Sequence, residues 1–188
     1  MKAPPRAPGD PLSTALLQVA RDFPERPAID DGRERLSHGA LLTRALSVAA
    51  SADASPASRI ALLCDHDSTA ITGWLGLLLA GKTVVPLDPS HPPSRLSWLL
   101  ADAEAGALLA SPNQQALARS IAGESVRLLP CRAEGAATLT AVDPAQIAYL
   151  LYTSGSTGSP KASSRAGKTS SSTCSPMARA SISARKIA

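Results

Sequence analysis

The stretch "YLLYTSGSTGSPKA", residues 149 to 162, holds the side chains most able to do chemistry in this sequence. An apolar run of strand character breaks into Ser, Thr and Gly and closes on Pro160 and Lys161. Thr153, Ser154, Ser156 and Thr157 offer donors, and Gly155 and Gly158 allow positive φ and close backbone approach. Lys161 adds a fixed positive charge. Many donors around one cation suit a polyphosphate, whose oxygens are many and anionic. The competing reading is a pliant Ser/Gly connector with no chemistry, so the elements that position the loop matter.

Those elements alternate. Asp10 and Pro11 make a helix start, with Leu12, Leu16, Val19, Ala20 and Phe23 at helical spacing behind them. Asp31-Gly32 between two short extended runs predicts a tight hairpin, and Ser37 predicts the cap of a second helix. Then "RIALLC", "TVVPL", "GALLAS", "VRLL" and "IAYLLYT" read as strands, with helices over 67–80, 92–104 and 112–121 between the first four. The fold class this implies is α/β, a mostly parallel sheet flanked by helices. The hydroxyl-rich loop leaves the last strand at the sheet's carboxyl edge, where open α/β sheets bind ligands.

The 188 residues carry a net charge of +4, unevenly placed. Five of the 19 basic residues and none of the 15 acidic ones lie after Lys161, so Met1 to Lys161 holds 14 basic against 15 acidic residues. A body of near-zero charge gives no reason to propose a nucleic-acid partner. The longest apolar run, "GWLGLLLAG", is too short to span a bilayer, and no membrane partner is expected. Cys64, Cys131 and Cys174 are far apart, fit neither a disulfide framework nor a zinc site, and suit a reducing cytoplasm.

Other residues invite a functional reading and have a plainer one. "GLLLAGKT", Gly76 to Thr83, fits the Walker A spacing, but here a helix precedes the lysine and a strand follows it, the inverse of a true Walker loop. Gly81 reads as the residue that ends that helix. His38, His66 and His91 fall in turns or helix starts, with no spacing that predicts a metal site. Asp65 and Asp67 beside His66 read as helix capping rather than acid–base work. Trp74 and Trp98 read as core, and Arg95 as a structural ion-pairing residue.

The order of the loop residues adds a resemblance. "AYLLYTSGSTGSPK" resembles the phosphate-loop signature of adenylate-forming enzymes, the superfamily of acyl-CoA synthetases, luciferases and nonribosomal peptide synthetase adenylation domains. Tyr152 to Gly158 and Pro160-Lys161 match its pattern, with Ala162 where the family usually has Gly. "GLLLAGKTVVPLDPSHPPSRLSWLLADAEAGALL", residues 76 to 109, looks like a second family region, and its "VPLDP" is most similar to peptide-synthetase adenylation domains. "RPAIDDGRERLSHGALLTRA" resembles the family's opening hairpin and helix.

The resemblance implies ATP with Mg²⁺ as cofactor and a carboxylic or amino acid as co-substrate, joined as an acyl-adenylate with release of pyrophosphate. Full-length relatives of the peptide-synthetase type also use a phosphopantetheine carrier. Thr153, Ser154, Ser156 and Thr157 would donate to phosphate oxygens, Gly155 and Gly158 would permit the loop's shape, and Lys161 would neutralise charge. These are binding roles; no residue here is expected to act as a nucleophile or acid–base catalyst, and no protein-held metal is expected.

The resemblance covers residues 10 to 161 and corresponds to the N-terminal part of the large adenylation domain. Residues 1–9 are expected to be a loose N-terminus. Residues 162–188, with eight serines and no acid, are expected to be a disordered basic tail, and a reading-frame shift at or just after Lys161 is the hypothesis that this change of character prompts. Translation of the downstream DNA in the other frames tests it; adenylation-type sequence in neither frame would count against it. A chain lacking the adenine and acid pockets is expected to be inactive alone, the alternative being a non-catalytic remnant or a fragment that complements a separately encoded remainder.

Overall fold

The structure, a computed structural model, describes residues 11–131, 147–153 and 161–166. Helix α1 (Pro11–Asp22) leads into strands β1 (Pro27–Asp30) and β2 (Arg35–Ser37), which pair antiparallel as a separate two-stranded sheet. Helix α2 (His38–Asp53) starts on Ser37, whose hydroxyl accepts from the Ala40 N–H at 3.3 Å. Strand β3 (Arg59–Leu63), helix α3 (Ser68–Leu79), strand β4 (Thr83–Leu87), helix α4 (Pro93–Asp102) and strand β5 (Ala107–Ala110) follow. A 3-10 turn at Pro112–Gln114 opens α5 (Gln115–Ile121), and β6 (Arg127–Leu129), β7 (Ile147–Thr153) and β8 (Lys161–Ala166) complete the described chain.

Six strands form one sheet in the order β6-β5-β3-β4-β7-β8. All neighbours pair parallel except β7 with β8, which is antiparallel. The expected α/β architecture is therefore present, with every strand read from the sequence in it.

Period-2 alternation sends each strand's side chains to opposite faces. Ile60, Leu62, Val84, Ala107 and Leu109 pack with Ala45, Val48, Leu77 and Leu79 under α2 and α3. Ala61, Leu63, Val85 and Leu108 pack with Leu96, Leu99, Leu100 and Ile121 under α4 and α5. The strands are apolar on both faces because both are covered by helices. Small residues let α2 and α3 approach closely: a Cβ on Gly76 would come within 2.6 Å of the Ala45 carbonyl oxygen.

Three expectations need correction. Trp98 is not core: it is 43% exposed on the flank of α4, because helical spacing among leucines puts a residue near the buried stripe without saying on which side. Arg95 enters none of the ion pairs among the described residues. Regular structure was expected to stop at Lys161, yet β8 runs to Ala166. A ladder is built from backbone N–H and C=O groups, so a Ser-rich segment can pair without large apolar side chains. Residues 1–9 and 167–188, for which disorder is expected from the sequence, lie outside the described residues.

The connection Asp31–Glu34 is longer than a two-residue turn, with Gly32 at φ +80°. The Asp31 carboxylate accepts from the backbone N–H groups of Glu34 (2.7 Å), Arg33 (2.9 Å) and Ser68 (2.8 Å). Glu34 pairs with Arg44 and accepts from the Ser68 hydroxyl at 3.0 Å. The small sheet is thereby tied to the first turn of α3.

Candidate functional site

The carboxyl ends of β3, β4 and β7 lie side by side at one edge of the sheet, because those strands are adjacent and parallel. Strand β7 is held there from both faces. Tyr149 meets Trp74 of α3 edge-on, with ring centroids 5.7 Å apart. Tyr152 meets Trp98 of α4 edge-on at 6.1 Å and donates from its hydroxyl to Asp102 at 2.7 Å. Burial, then the bond to Asp102, push the Tyr152 phenol above its ordinary range, so it stays protonated.

Thr153 is the last residue of β7 and Lys161 the first of β8, and the two are Cα partners in the ladder. The connection between them therefore leaves and re-enters the sheet at one rung, on the carboxyl edge. Ser154, Gly155, Ser156, Thr157 and Gly158, the other expected phosphate-binding residues, lie outside the described residues. The structure thus brings together the two ends of the predicted site.

Beside this edge an open cleft of about 430 Å³ lies between α3 and the ends of β3 and β4. Its wall is mostly apolar, from Leu62, Ile71, Trp74 and Pro86, with Asp65, His66 and Asp88 also lining it. Sequence reasoning missed this cleft. Trp74, expected in the core, packs against it and also faces the cleft. The available signal was the pair "CDH" and "LDP", each following a buried strand in one parallel sheet.

Three carboxylates here have structural partners. Asp67 caps α3, accepting from the N–H groups of Thr69 (2.9 Å) and Ala70 (3.3 Å), as the capping reading requires. Asp65 accepts from the Gln114 side chain at 2.7 Å. The Ser90 N–H, at 2.9 Å, holds the Asp88 carboxyl below the usual range. Burial and the neighbouring Cys131 push the Cys64 thiol up to about 12. Among the described residues no group of three or more His, Cys, Asp and Glu is placed to hold a metal ion, and no helix is long and apolar enough to cross a membrane.

The Walker-like stretch is a helix end. Gly81 has φ +66°, its N–H donates to Leu78 O, and the Lys82 N–H donates to Leu77 O. That pair of bonds is a Schellman closure of α3. Lys82 Nζ donates to the Ser55 carbonyl at 2.9 Å, away from any phosphate role.

Comparison with known proteins gives this geometry a family. Syringomycin synthase SyrB1 of Pseudomonas syringae pv. syringae is 33% identical over 165 residues, covering 84% of this chain and 26% of that protein. Surfactin synthase subunit 3 of Bacillus subtilis is 32% identical over 159 residues, covering 80% of this chain and 12% of that protein. The chain thus spans about a quarter or less of these relatives. Among solved structures, the nonribosomal peptide synthetase FmoA3 with alpha-methyl-L-serine-AMP bound superposes with a TM-score of 0.74 at 21% identity, over 88% of this chain and 19% of that one. IdnL7 superposes with a TM-score of 0.69 at 26% identity, over 83% of this chain and 34% of that one. The family description "AMP-binding enzyme" matches residues 16–164, and the chain belongs to that family, with an adenylation-type fold similar to that of nonribosomal peptide synthetases.

Proposed function

We propose that this chain supplies the nucleotide-phosphate end of a unit that activates a carboxylic or amino acid as its acyl-adenylate, of the kind used in nonribosomal peptide synthesis. The observation that carries the reading is the Thr153–Lys161 rung at the carboxyl edge of a parallel sheet in a member of the AMP-binding family. Hydroxyls of Thr153, Ser154, Ser156 and Thr157, with amides freed by Gly155 and Gly158, donate to the outer phosphate oxygens of ATP, and Lys161 balances their charge. This donor set fits phosphate oxygens; it fits Mg²⁺ only as an ion already carried on them. The work done is positioning and charge stabilisation. An amino or carboxylic acid, and a phosphopantetheine carrier that would receive it, are the partners this reading implies, in the cytoplasm.

On their own these 188 residues hold one set of contacts and are expected to bind ATP without turning it over. Equilibrium binding of ATP and carboxylate-dependent ATP–pyrophosphate exchange, run on the same purified chain with a panel of amino acids, test both halves. Absence of ATP binding would overturn the nucleotide reading; robust exchange would overturn the claim of inactivity.

A second reading is favoured by exposed apolar side chains beside the site: Ile71 is 46% exposed, Trp98 43% and Leu151 39%. Such surface fits a non-catalytic part that complements a separately encoded remainder of an adenylation domain. A neighbouring gene beginning midway through an adenylation domain, whose product restores exchange when mixed with this chain, would establish it. A product that neither binds nor restores exchange would remove it.

A further inference from the structure

We propose that the cleft between α3 and the carboxyl ends of β3 and β4 binds an organic cation with an apolar body, an aromatic amine or a quaternary ammonium. It shares no residue with the site proposed for phosphate and does not depend on it. The cleft holds about 430 Å³. Small-molecule sites run from roughly 300 to 1,000 Å³. Leu62 and Pro86 are Cα partners in the β3–β4 ladder, and both line the cleft from the sheet. Ile71 and Trp74 line it from α3. Ile71 is 46% exposed, so this apolar surface is open to a ligand rather than sealed in the core.

Charge decides the kind of ligand. Leu63 and Leu87 are also Cα partners, so the segments that follow them leave the sheet side by side. Asp65 and Asp88 stand on those two segments, and both line the cleft. Each carboxylate is held by a neutral donor: the Gln114 side-chain amide at 2.7 Å for Asp65, and the Ser90 N–H at 2.9 Å for Asp88. Neither carboxylate enters an ion pair among the described residues. His66 is the one basic residue among those lining the cleft, against two acids. A ligand seated on the aliphatic and indole surface therefore has its polar end among anions, which favours a cation and rejects a carboxylate. The Trp74 indole adds a π surface of the kind that attracts ammonium groups. An amino acid would bring its own carboxylate against the same two aspartates, so an amine without one fits better.

The test titrates the full chain with three probes of similar size: benzyltrimethylammonium, its neutral isostere neopentylbenzene, and the anion 3-phenylpropionate. The chain has two tryptophans, Trp74 and Trp98, so Trp98→Phe leaves Trp74 as the sole indole reporter of binding by fluorescence. The ammonium should bind about tenfold more tightly than the isostere, and 3-phenylpropionate most weakly. Asp65→Asn and Asp88→Asn keep an acceptor for Gln114 and Ser90, and each should weaken the ammonium by about threefold, the scale of a partly exposed ion pair. Binding of the isostere should not change in either variant, whereas a merely structural role would shift both probes together. Equal affinity for all three probes, or preference for the anion, would overturn the inference. Should the Asn variants fail to fold, ionic strength decides on the wild-type chain: salt should weaken the ammonium and not the isostere. Salt-independent ammonium binding would overturn the inference. So would a chain that binds no probe, and a dimer by light scattering in that case would give the cleft to a second copy.

Discussion

Thr153 and Lys161 face one another as Cα partners across β7 and β8, so the residues between them begin and end at one rung of the ladder. On the proposed nucleotide reading, Lys161 supplies the charge that balances the phosphates. Lys161→Gln should therefore lower ATP affinity by about tenfold while leaving the thermal melt near that of the wild type, since the ladder is made by the backbone. Calorimetric titration with ATP reads the effect. Equal affinity in both proteins would detach Lys161 from the nucleotide.

Asp31 joins elements far apart in sequence. Hydrogen bonds from the N–H groups of Glu34, then Ser68 and Arg33, hold its carboxyl well below the usual range. A carboxylate whose folded pKa is depressed stabilises the fold above its unfolded pKa, about 3.9, and that contribution is lost as pH falls toward the folded value. Asp31→Asn should be less stable than the wild type at neutral pH, and the gap should narrow as pH drops below about 4. Urea midpoints at the two pH values measure it. A gap that stays constant, or widens in acid, would show that the charge on Asp31 is not the source of the stability.

The thiols should separate by reactivity. Thiolate is the attacking species, and burial pushes Cys64 up to about 12, leaving it protonated at physiological pH. Cys64 is 7% exposed, whereas Cys131 is half-buried. In the native chain an aromatic disulfide reagent should label Cys131 well before Cys64, with Cys64 reacting only on unfolding. Peptide mass spectrometry assigns the sites; equal native labelling rates would contradict the packing of β3.

Much of the fold was legible because each strand is a short apolar run and each helix carries its own punctuation. Asp67 and Ser37 cap as their positions predict, and Gly81 ends α3. What was illegible depends on partners distant in the chain. Nothing near Asp31 announces that Ser68, 37 residues on, will donate to it. Helical spacing placed Trp98 near the leucines but could not show that its flank meets Tyr152 rather than the sheet interior. Strand β8 carries no apolar pattern to announce it, because a ladder is formed by backbone N–H and C=O groups. Of the candidate site, the sequence named hydroxyls, glycines and a lysine of which only Thr153 and Lys161 lie among the described residues, while the adjacent cleft required knowing that β3 and β4 are parallel neighbours.

Gly76 is where the Walker-like spacing and the packing give opposite forecasts. A phosphate-binding glycine would tolerate alanine structurally and lose nucleotide affinity. Here the helix runs against α2, and a Cβ would lie 2.5 Å from the Val48 Cβ and 2.6 Å from the Ala45 carbonyl oxygen. Backbone cannot swing aside as a flexible side chain can, so α2 and α3 must separate, at a cost of about 1–3 kcal/mol. Gly76→Ala should therefore lower the urea midpoint with little change in slope, because the same surface is still exposed on unfolding. Under conditions where the variant remains folded, its ATP affinity should equal that of the wild type. Normal stability together with lost ATP binding would reverse the assignment and move the phosphate site to the α3–β4 connection.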